Sequence, residues 1–312
     1  RNTSLFKENY IISLSENNII GQGEVAFNIR YGESKESILE EFAWFCEQYN
    51  YKRVFNRNDL IWLEECKQIS ASLKMGINQA FYNFLCKKEN ISIEDILEVE
   101  RPEAVISSFS IPILPEIDLA DFLLRYNLLN YPFLKIKING LKSVPLVNKL
   151  LSCYQGMIRI DANEGFYDYQ EVLNFIKRIS QISKIDFIEQ PLPARLNHEM
   201  IYLKGKCGVE FIADESITYD EDLSKLSLYF DGVNIKLMKS GTIRNAKKQL
   251  EKAKKLGLKT MLGCMIETSL GISFAYSLAK DVDYLDLDGF ILIEYEPFQL
   301  LNEDKGLISL KV

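Results

Sequence analysis

Five short pieces of sequence decide the fold: LKIKING (134–140), MIRIDANEGF (157–166), DFIEQPLP (186–193), FIADESI (211–217) and DGVNIKLMKS (231–240). Each piece is an apolar run that ends in charged or amide side chains. A buried strand requires the apolar run, and packing gives no reason for the charges. Asp161 lies 28 residues before Glu189, Glu189 lies 25 before Asp214, and Asp214 lies 22 before Lys236. This spacing predicts a repeated unit of strand, loop, helix and loop.

The same pattern begins before these pieces and continues after them. Strands are predicted at 104–113, 133–138, 157–162, 185–189, 210–213, 232–236, 259–263 and 286–292. Apolar residues at helical spacing predict helices at 118–126, 144–154, 169–180, 196–204, 221–226, 243–255 and 270–279. Eight strands that alternate with helices predict an α/β protein with a (β/α)8-like barrel, a modified TIM barrel, over residues 101–294.

The sequence pattern of residues 1–100 differs from that of the barrel and predicts a separate structural unit. Strands at 7–15 and 19–27 flank a turn at Asn17 and Asn18, and helices follow at 37–49, 60–66 and 69–87. A hairpin followed by helices is an α+β unit. The tail 295–312 contains a turn and a strand, which we expect to return to the sheet of this first unit. Because the hairpin lacks a partner strand upstream, we also expect that the chain has been trimmed.

Composition and charge argue against several classes of partner. The 37 basic and 44 acidic residues give a net charge of −7, whereas a nucleic-acid site needs clustered basic residues. Apolar runs fall well short of the ~20 residues of a membrane span. Six cysteines without a CxxC pair favour buried, reduced thiols and a cytoplasmic protein. The single histidine, His198, is expected at the surface, since one imidazole cannot build a histidine-rich metal site.

The strand ends predict a metal site and a pair of facing lysines. Asp161, Glu189 and Asp214 end three consecutive strands at one mouth of the barrel. Three converging carboxylates repel unless a divalent cation lies among them, and all-oxygen ligands indicate Mg²⁺, with Mn²⁺ as a substitute. Lys137 and Lys236 are four strands apart in a barrel of eight, so they are predicted to face each other across the mouth.

The predicted eighth strand begins with two aspartates. Asp286 and Asp288 lie on the same face of a strand and suggest a seat for a substrate cation, although either could instead cap a helix. Each charge considered alone fits a structural role. The ordered set of charges on consecutive strand ends favours a functional one.

The chain resembles the enolase superfamily, in its muconate-lactonising-enzyme-like subgroup, in five motifs: KIK (135–137), DAN (161–163), IEQP (188–191), ADES (213–216) and IKLMKSG (235–241). The resemblance covers nearly the whole chain. It implies that residues 1–100 form a capping domain, to which the tail 295–312 is joined. It also implies that Lys137 and Lys236 are an acid/base pair, and that the three carboxylates bind one Mg²⁺.

The sequence DLDG at 286–289 resembles the dipeptide-epimerase branch of that superfamily, in which the two aspartates bind the substrate's α-ammonium. The chain is similar there to L-Ala-D/L-Glu epimerases. The opening residues RNTS resemble that branch's mobile capping loop, where an arginine can meet a substrate carboxylate. Arg1 is the first candidate for this role, and Arg30 is the second. Glu164, after Asn163, departs from the pattern and has no interpretation from sequence.

Four further polar residues complete the predicted site. Lys135 is expected to contact substrate, and Asn163, Glu215 and Glu267 are expected to support the groups around them, although the role of Glu267 stays open. The expected partner is a small dipeptide, with neither nucleic acid nor membrane, and a homo-oligomer is left open.

The resemblance implies proton exchange at the α-carbon beside a carboxylate. Mg²⁺ on that carboxylate would stabilise the enediolate, and one lysine would remove the proton while the other returns it to the opposite face. One alternative is an o-succinylbenzoate synthase or a cycloisomerase of the same superfamily, whose substrates carry no ammonium for the two aspartates. A non-catalytic metal-binding barrel is a third hypothesis.

Overall fold

The computed structural model describes residues 6–49 and 55–311. Arg1, the residues around it and the expectation about the start of the chain lie outside the described residues. The first unit is an antiparallel hairpin followed by helices, as predicted. Its elements are β1 (Tyr10–Glu16), β2 (Ile19–Val25), α1 (Lys35–Gln48), α2 (Asn58–Glu65), α3 (Ala71–Glu89) and α4 (Ile93–Leu97). Asn17 and Asn18 make the hairpin turn with φ of 48° and 67°, a conformation that asparagine tolerates better than most residues.

The backbone of the hairpin packs directly against the backbone of α3. A Cβ atom added to Gly23 would lie 2.1 Å from the carbonyl oxygen of Gly76 in α3, and one added to Gly21 would lie 2.2 Å from that of Ala80. Only glycine allows so close an approach between a strand and a helix. The two glycines therefore fix the contact between β2 and α3.

The barrel contains eight parallel strands and confirms the predicted fold class. A short strand, β3 (Val105–Ile106), precedes it. The barrel strands are β4 (Phe109–Ile111), β5 (Phe133–Lys137), β6 (Met157–Asp161), β7 (Ile185–Glu189), β8 (Glu210–Ala213), β9 (Gly232–Lys236), β10 (Lys259–Gly263) and β11 (Tyr284–Asp286). They are hydrogen-bonded in chain order, and the Ser108 N–H donates to the Leu285 carbonyl at 3.1 Å, which joins the last strand to the first.

Helices follow most of these strands along the chain. They are α5 (Leu119–Arg125), α6 (Val144–Cys153), α7 (Tyr169–Lys177), α8 (Leu223–Leu226), α9 (Leu237–Ser240), α10 (Ile243–Lys255) and α11 (Ser269–Tyr276). In α10, the Thr242 hydroxyl caps the first turn by accepting from the Asn245 N–H. Its buried side chains recur every three or four residues, which places one helix face against the barrel: Ile243, Ala246, Leu250 and Ala253.

The predicted strand at 104–113 is two strands in different sheets. β3 pairs with the tail, which forms β12 (Leu301–Asp304) and β13 (Leu307–Leu310). The Ser107 N–H donates to the Gly306 carbonyl, whereas the next N–H, that of Ser108, donates into the barrel. The chain thus changes sheets between these two serines. The expectation that the tail returns to the hairpin's sheet is wrong, because β3 offers it an edge to pair with.

The predicted strand at 286–292 is also wrong, since β11 ends at Asp286. Beyond that point the Leu287 N–H donates to the Ser107 hydroxyl at 2.8 Å, and the Ile291 N–H donates to the Asp288 carbonyl at 3.0 Å. A bond between residues three apart belongs to a turn, so the backbone leaves the sheet there. An apolar run alone could not predict this departure.

The predicted helix at 196–204 is a 3-10 helix, Ala194–Tyr202, and His198 is exposed on it as expected. All six cysteines are free thiols, but the expected burial holds poorly: Cys66 is buried, whereas Cys46 and Cys153 are exposed. Among residues 6–49 and 55–311, every helix is too short or too polar to cross a bilayer.

The close contact between β2 and α3 predicts a cost for Gly23→Ala. The added methyl group has to push the strand off the helix, and overpacking of this kind costs about 1–3 kcal/mol in the free energy of unfolding. Urea denaturation measures the change. Ser13→Ala, on the exposed face of the same hairpin, is the control and should change stability by less than about 0.5 kcal/mol. Equal effects would show that the glycine contact is not tight.

Candidate active site

The strand register brings the predicted charges to one mouth of the barrel. Lys137 on β5 is level with Asp161 on β6, which is level with Glu189 on β7. Asp214 directly follows β8, and Lys236 ends β9. Parallel strands present their carboxyl ends at the same edge, so all five side chains reach the same space.

The three carboxylates predicted to bind metal are each buried and paired with a lysine. The exposed fractions of Asp161, Glu189 and Asp214 are 1%, 0% and 2%. The Lys137 Nζ lies 3.2 Å from the Asp161 Oδ2, and the Lys236 Nζ lies 2.8 Å from the Asp214 Oδ2. These contacts balance charges that would otherwise be costly to bury.

The pKa values of these groups follow from burial and from their neighbours. Burial, together with the charges of Asp161 and Asp214, raises the pKa of Glu189 to about 7, although Lys135 opposes the shift. Burial alone would raise the pKa of Asp214 as well, but Lys236 and other ammonium groups hold it well below its usual value. Burial would lower the pKa of Lys236, and Asp214 with Glu189 instead holds it well above the usual range.

The donor set fits a hard cation, although it is not assembled around one. Within the described ranges, no three acidic, histidine or cysteine side chains form a ready metal cluster. Carboxylate oxygens of this set contact ammonium groups instead, Asp161 that of Lys137 and Asp214 that of Lys236. The charge of Asp214 acts to raise the pKa values of both Asp161 and Glu189, although the lysines keep the pKa of Asp161 below its usual value. Mg²⁺ would relieve this repulsion between buried carboxylates.

Sequence reasoning missed three side chains that hold this array. The Lys239 Nζ lies 2.6 Å from the Asp214 Oδ1, on the side of the carboxylate opposite Lys236. The Asn234 amide donates to the Glu189 Oε1 at 2.7 Å. The Gln190 Oε1 accepts from the Asp214 N–H at 2.9 Å and so positions the loop after β8. All three lie inside the five pieces of sequence quoted at the outset, so proximity to the predicted ligands was the signal that could have found them.

Asp286, the last residue of β11, and Asp288, two residues later, differ in their surroundings. Asp286 forms a close ion pair with Lys135 and accepts from the Ser108 hydroxyl at 2.8 Å. Asp288 accepts from the Ser110 N–H at 2.5 Å, and burial beside Asp286 raises its pKa to about 6. Lys135 is only 2% exposed, so its ammonium lies inside the barrel. Its predicted contact with substrate, and that of the two aspartates, stays a prediction.

Arg30, the second candidate for the capping-loop arginine, forms ion pairs with two carboxylates at the mouth. The Arg30 guanidinium lies 3.0 Å from the Glu164 Oε2 and forms a close ion pair with Glu215. The Asn163 N–H donates to the Asp161 Oδ1 at 3.1 Å, and the Asn163 amide lies 3.5 Å from the Glu215 Oε1. Asn163 and Glu215 thus stand beside the predicted metal ligands, as expected.

Known proteins resemble this chain over most of its length. Residues 120–297, more than half of the chain, match the Enolase C-terminal domain-like family. An L-Ala-D/L-amino acid epimerase of Pedosphaera parvula is 34% identical over 296 residues, which are 93% of this chain and 84% of that protein. The chain belongs to the enolase superfamily. The L-Ala-D/L-Glu epimerase of Bacteroides thetaiotaomicron is 27% identical and is matched over 96% of this chain and 78% of its own length.

Solved structures of the enolase superfamily share the fold over nearly the full chain. A family member from Agrobacterium tumefaciens with homology to dipeptide epimerases, with bound sodium and L-Ala-L-Glu, is 25% identical, with a TM-score of 0.88 and coverage of 98% of this chain and 90% of that one. A dipeptide epimerase from Enterococcus faecalis in complex with Mg and L-Leu-L-Tyr has a TM-score of 0.85 at 24% identity, with coverage of 98% and 90%. The family and fold predictions are confirmed.

In this enolase-superfamily barrel, Glu267 lies at the contact between cap and barrel. It follows β10 and is 2% exposed, and burial followed by the charge of Glu24 raises its pKa to about 8. Glu24, on β2, accepts from the hydroxyl of Thr268 at 2.6 Å and from the Gly271 N–H at 3.2 Å, so it caps the start of α11. Glu267 thus faces the cap strand, and its predicted support of the metal ligands stays a prediction.

The Glu267–Glu24 contact predicts a pH-dependent stability. The folded pKa of Glu267, about 8, lies above the ordinary value of 4.5, so the folded state binds a proton that the unfolded state releases. The contribution is fully present below pH 4.5 and is lost as pH rises through about 8. Relative to Glu267→Gln, the free energy of unfolding of the unmodified protein should fall by a few kcal/mol between pH 5 and pH 8.5.

Urea titrations of both proteins at several pH values measure this difference. The control, Glu294→Gln, changes an exposed carboxylate and should follow the unmodified protein at every pH. A constant difference between the unmodified protein and Glu267→Gln would contradict the raised pKa.

Proposed function

We propose that this chain is a Mg²⁺-dependent dipeptide epimerase, an isomerase that inverts the α-carbon of the C-terminal residue of an L-Ala-D/L-Glu-type dipeptide. One observation carries the proposal: Lys137 and Lys236 sit on strands four apart in the barrel, at the mouth that also holds three buried carboxylates. Inversion needs one base on each face of the α-carbon, which this arrangement supplies. The names of the relatives support the same reaction.

Asp161, Glu189 and Asp214 would hold the Mg²⁺. When bound, the ion supplies a Lewis acid that stabilises the charge developing on the substrate carboxylate. The three ligands come from β6, β7 and the loop after β8, so they approach from one side of the mouth. Lys239 and Asn234 contact two of these ligands, Asp214 and Glu189, and hold them in position.

The two lysines exchange the proton. The Lys137 side chain is 41% exposed and can reach a substrate at the mouth, whereas the Lys236 side chain is 10% exposed and is fixed by Asp214. For one stereoisomer, Lys137 accepts the α-proton and the protonated Lys236 donates one to the opposite face. For the other stereoisomer the roles reverse, which makes the reaction a 1,1-proton transfer.

The free amine of the dipeptide would be held by Asp286 and Asp288. Asp288 is the less buried of the two and has no lysine pair as close as that of Asp286 with Lys135. An ammonium in this seat distinguishes an epimerase from an o-succinylbenzoate synthase or a cycloisomerase. The substrate therefore spans the mouth, with its carboxylate toward β6–β8 and its ammonium toward β11.

The remaining expectations follow from this reaction. We expect a cytoplasmic enzyme whose partner is a small dipeptide rather than a nucleic acid or a membrane, with the oligomeric state open. We also expect residues 1–100, with the tail 295–312, to act as the capping domain over the barrel of residues 101–294.

A screen in D₂O tests the proposed function directly. A dipeptide library incubated with the enzyme and Mg²⁺ should show incorporation of one deuterium at the C-terminal α-carbon, measured by mass spectrometry. Deuterium in L-Ala-D/L-Glu-type dipeptides supports the epimerase. A complete lack of exchange across the library would favour the non-catalytic barrel.

Removal of the metal should abolish activity. Excess chelator should stop epimerisation, and Mg²⁺ should restore it. Asp214→Asn should weaken Mg²⁺ binding severely, by calorimetry, because it removes one of three charged oxygen ligands. Asp220→Asn, an exposed aspartate in the same loop, is the control and should bind Mg²⁺ as the unmodified protein does. Full activity in chelator would contradict the metal assignment.

Replacement of either lysine should stop epimerisation but leave α-proton exchange from one stereoisomer. Lys137→Ala and Lys236→Ala should each stop epimerisation, yet each should still exchange the α-proton of a single stereoisomer, because one base remains on one face. NMR of each dipeptide isomer in D₂O measures the exchange. Lys142→Ala, an exposed lysine after β5, should epimerise normally. Exchange of both isomers by both active-site variants would rule out the two-base mechanism.

A further inference from the structure

A cavity of ≈ 660 Å³ separates the cap from the barrel mouth. From the cap it is lined by Arg30 and Tyr31, and from the barrel by Glu164, Glu215 and Lys239. Glu215 follows the predicted metal ligand Asp214 in the chain, so the cavity opens beside the reaction centre. A volume of this size accommodates a side chain of a small ligand, and its few charged groups decide which side chain is accepted.

Arg30 is the positively charged residue that the cap contributes to this cavity. Its guanidinium already forms ion pairs with two glutamates of the barrel. One arm of the guanidinium lies 3.0 Å from the Glu164 Oε2, and the other forms a close ion pair with Glu215. An arginine fork makes two parallel bonds to a carboxylate at most. Of the five N–H donors of Arg30, one on each terminal nitrogen already donates to a glutamate. A substrate carboxylate that takes over either of these donors has to displace that glutamate.

Glu164 is the partner that the substrate would displace, because Glu215 is far more deeply buried. The side chain of Glu164 is 23% exposed, whereas that of Glu215 is 4% exposed. A second contact orients the Glu164 carboxylate, because its Oε1 accepts a hydrogen bond from the Ala194 N–H at 2.9 Å. This bond aims the Oε2 at Arg30.

The backbone of Glu164 adopts a left-handed conformation. Its φ is 60°, a left-handed conformation that costs a non-glycine residue about 1 kcal/mol. Its N–H donates to the Gln190 carbonyl at 2.7 Å, a bond that any residue could make. What the glutamate side chain adds is a carboxylate that contacts both Arg30 and the Ala194 N–H.

We propose that Glu164 is a specificity-determining residue that competes with an acidic substrate side chain for Arg30. The inference rests on the proposed function. A dipeptide with a neutral C-terminal side chain leaves the Arg30–Glu164 pair intact and leaves no charge unpaired. A dipeptide with a C-terminal glutamate competes with Glu164 for the Arg30 guanidinium, whose charge Glu164 already neutralises in part. Glu164 thus lowers the preference for acidic over neutral side chains and broadens the range of substrates.

Glu164→Gln tests this competition with little change in shape. The glutamine Oε1 can still accept from the Ala194 N–H, while its NH₂ group cannot pair with the guanidinium. The ratio of kcat/KM for L-Ala-L-Glu to that for L-Ala-L-Gln should rise about tenfold, the effect expected for one charge-assisted hydrogen bond. The rise should come from a lower KM for L-Ala-L-Glu.

Two further variants separate competition from a general structural effect. Glu98→Gln changes an exposed glutamate with a similar backbone, φ 54°, and should leave the ratio unchanged. In an Arg30→Met background, Glu164→Gln should no longer change the ratio, because the group competed for is gone. An unchanged or lower ratio in Glu164→Gln, or an equal rise without Arg30, would overturn the proposal.

Binding measurements keep this test separate from the proposed function. Calorimetric titration with L-Ala-L-Glu and L-Ala-L-Gln gives a ratio of dissociation constants that does not depend on turnover. A tenfold shift of that ratio toward L-Ala-L-Glu in Glu164→Gln supports the competition even if no dipeptide is epimerised. Unchanged binding ratios in an enzyme that epimerises both dipeptides would overturn the role of Glu164 and leave the epimerase intact.

Discussion

The buried ammonium of Lys135 is the interaction on which the barrel interior depends. Its Nζ lies 3.1 Å from Glu189 and 3.9 Å from Asp161, and it forms a close ion pair with Asp286. Burial would lower the pKa of Lys135, but Asp286 and Glu189 hold it well above its usual value. Removal of a partner would leave an uncompensated buried charge, which is strongly destabilising. One lysine therefore ties four barrel strands together.

Ion pairs between carboxylates and lysines also stabilise the active site at the barrel mouth. Each carboxylate expected to bind metal has a lysine beside it, so the charged mouth is balanced before any ligand enters. The cap is attached to this mouth by similar means: Glu24 caps a barrel helix, and Arg30 pairs with two barrel glutamates. Charge pairing therefore links the cap, the barrel and the site, and the residues that would carry the reaction also stabilise the fold.

Much of this architecture was accessible from sequence because its signals are local. An apolar run of about five residues predicts a buried strand, and its regular recurrence predicts the barrel. The charges directly after such runs must lie at the barrel mouth, whatever the surrounding contacts. For that reason Asp161, Glu189, Asp214 and Lys236 could be assigned to one site from their positions along the chain, and the structure brings them together.

The sequence by itself thus determined the barrel, the hairpin with its helices, and the edge at which the charges meet. Only the tertiary structure decided which charges pair across that edge. Lys135 lies inside with Asp286, Glu267 faces Glu24, and Arg30 meets Glu164. The same holds for the tail, which pairs with β3. Such contacts join residues that are often more than a hundred positions apart, and they depend on side-chain direction and strand edges, which no local pattern encodes.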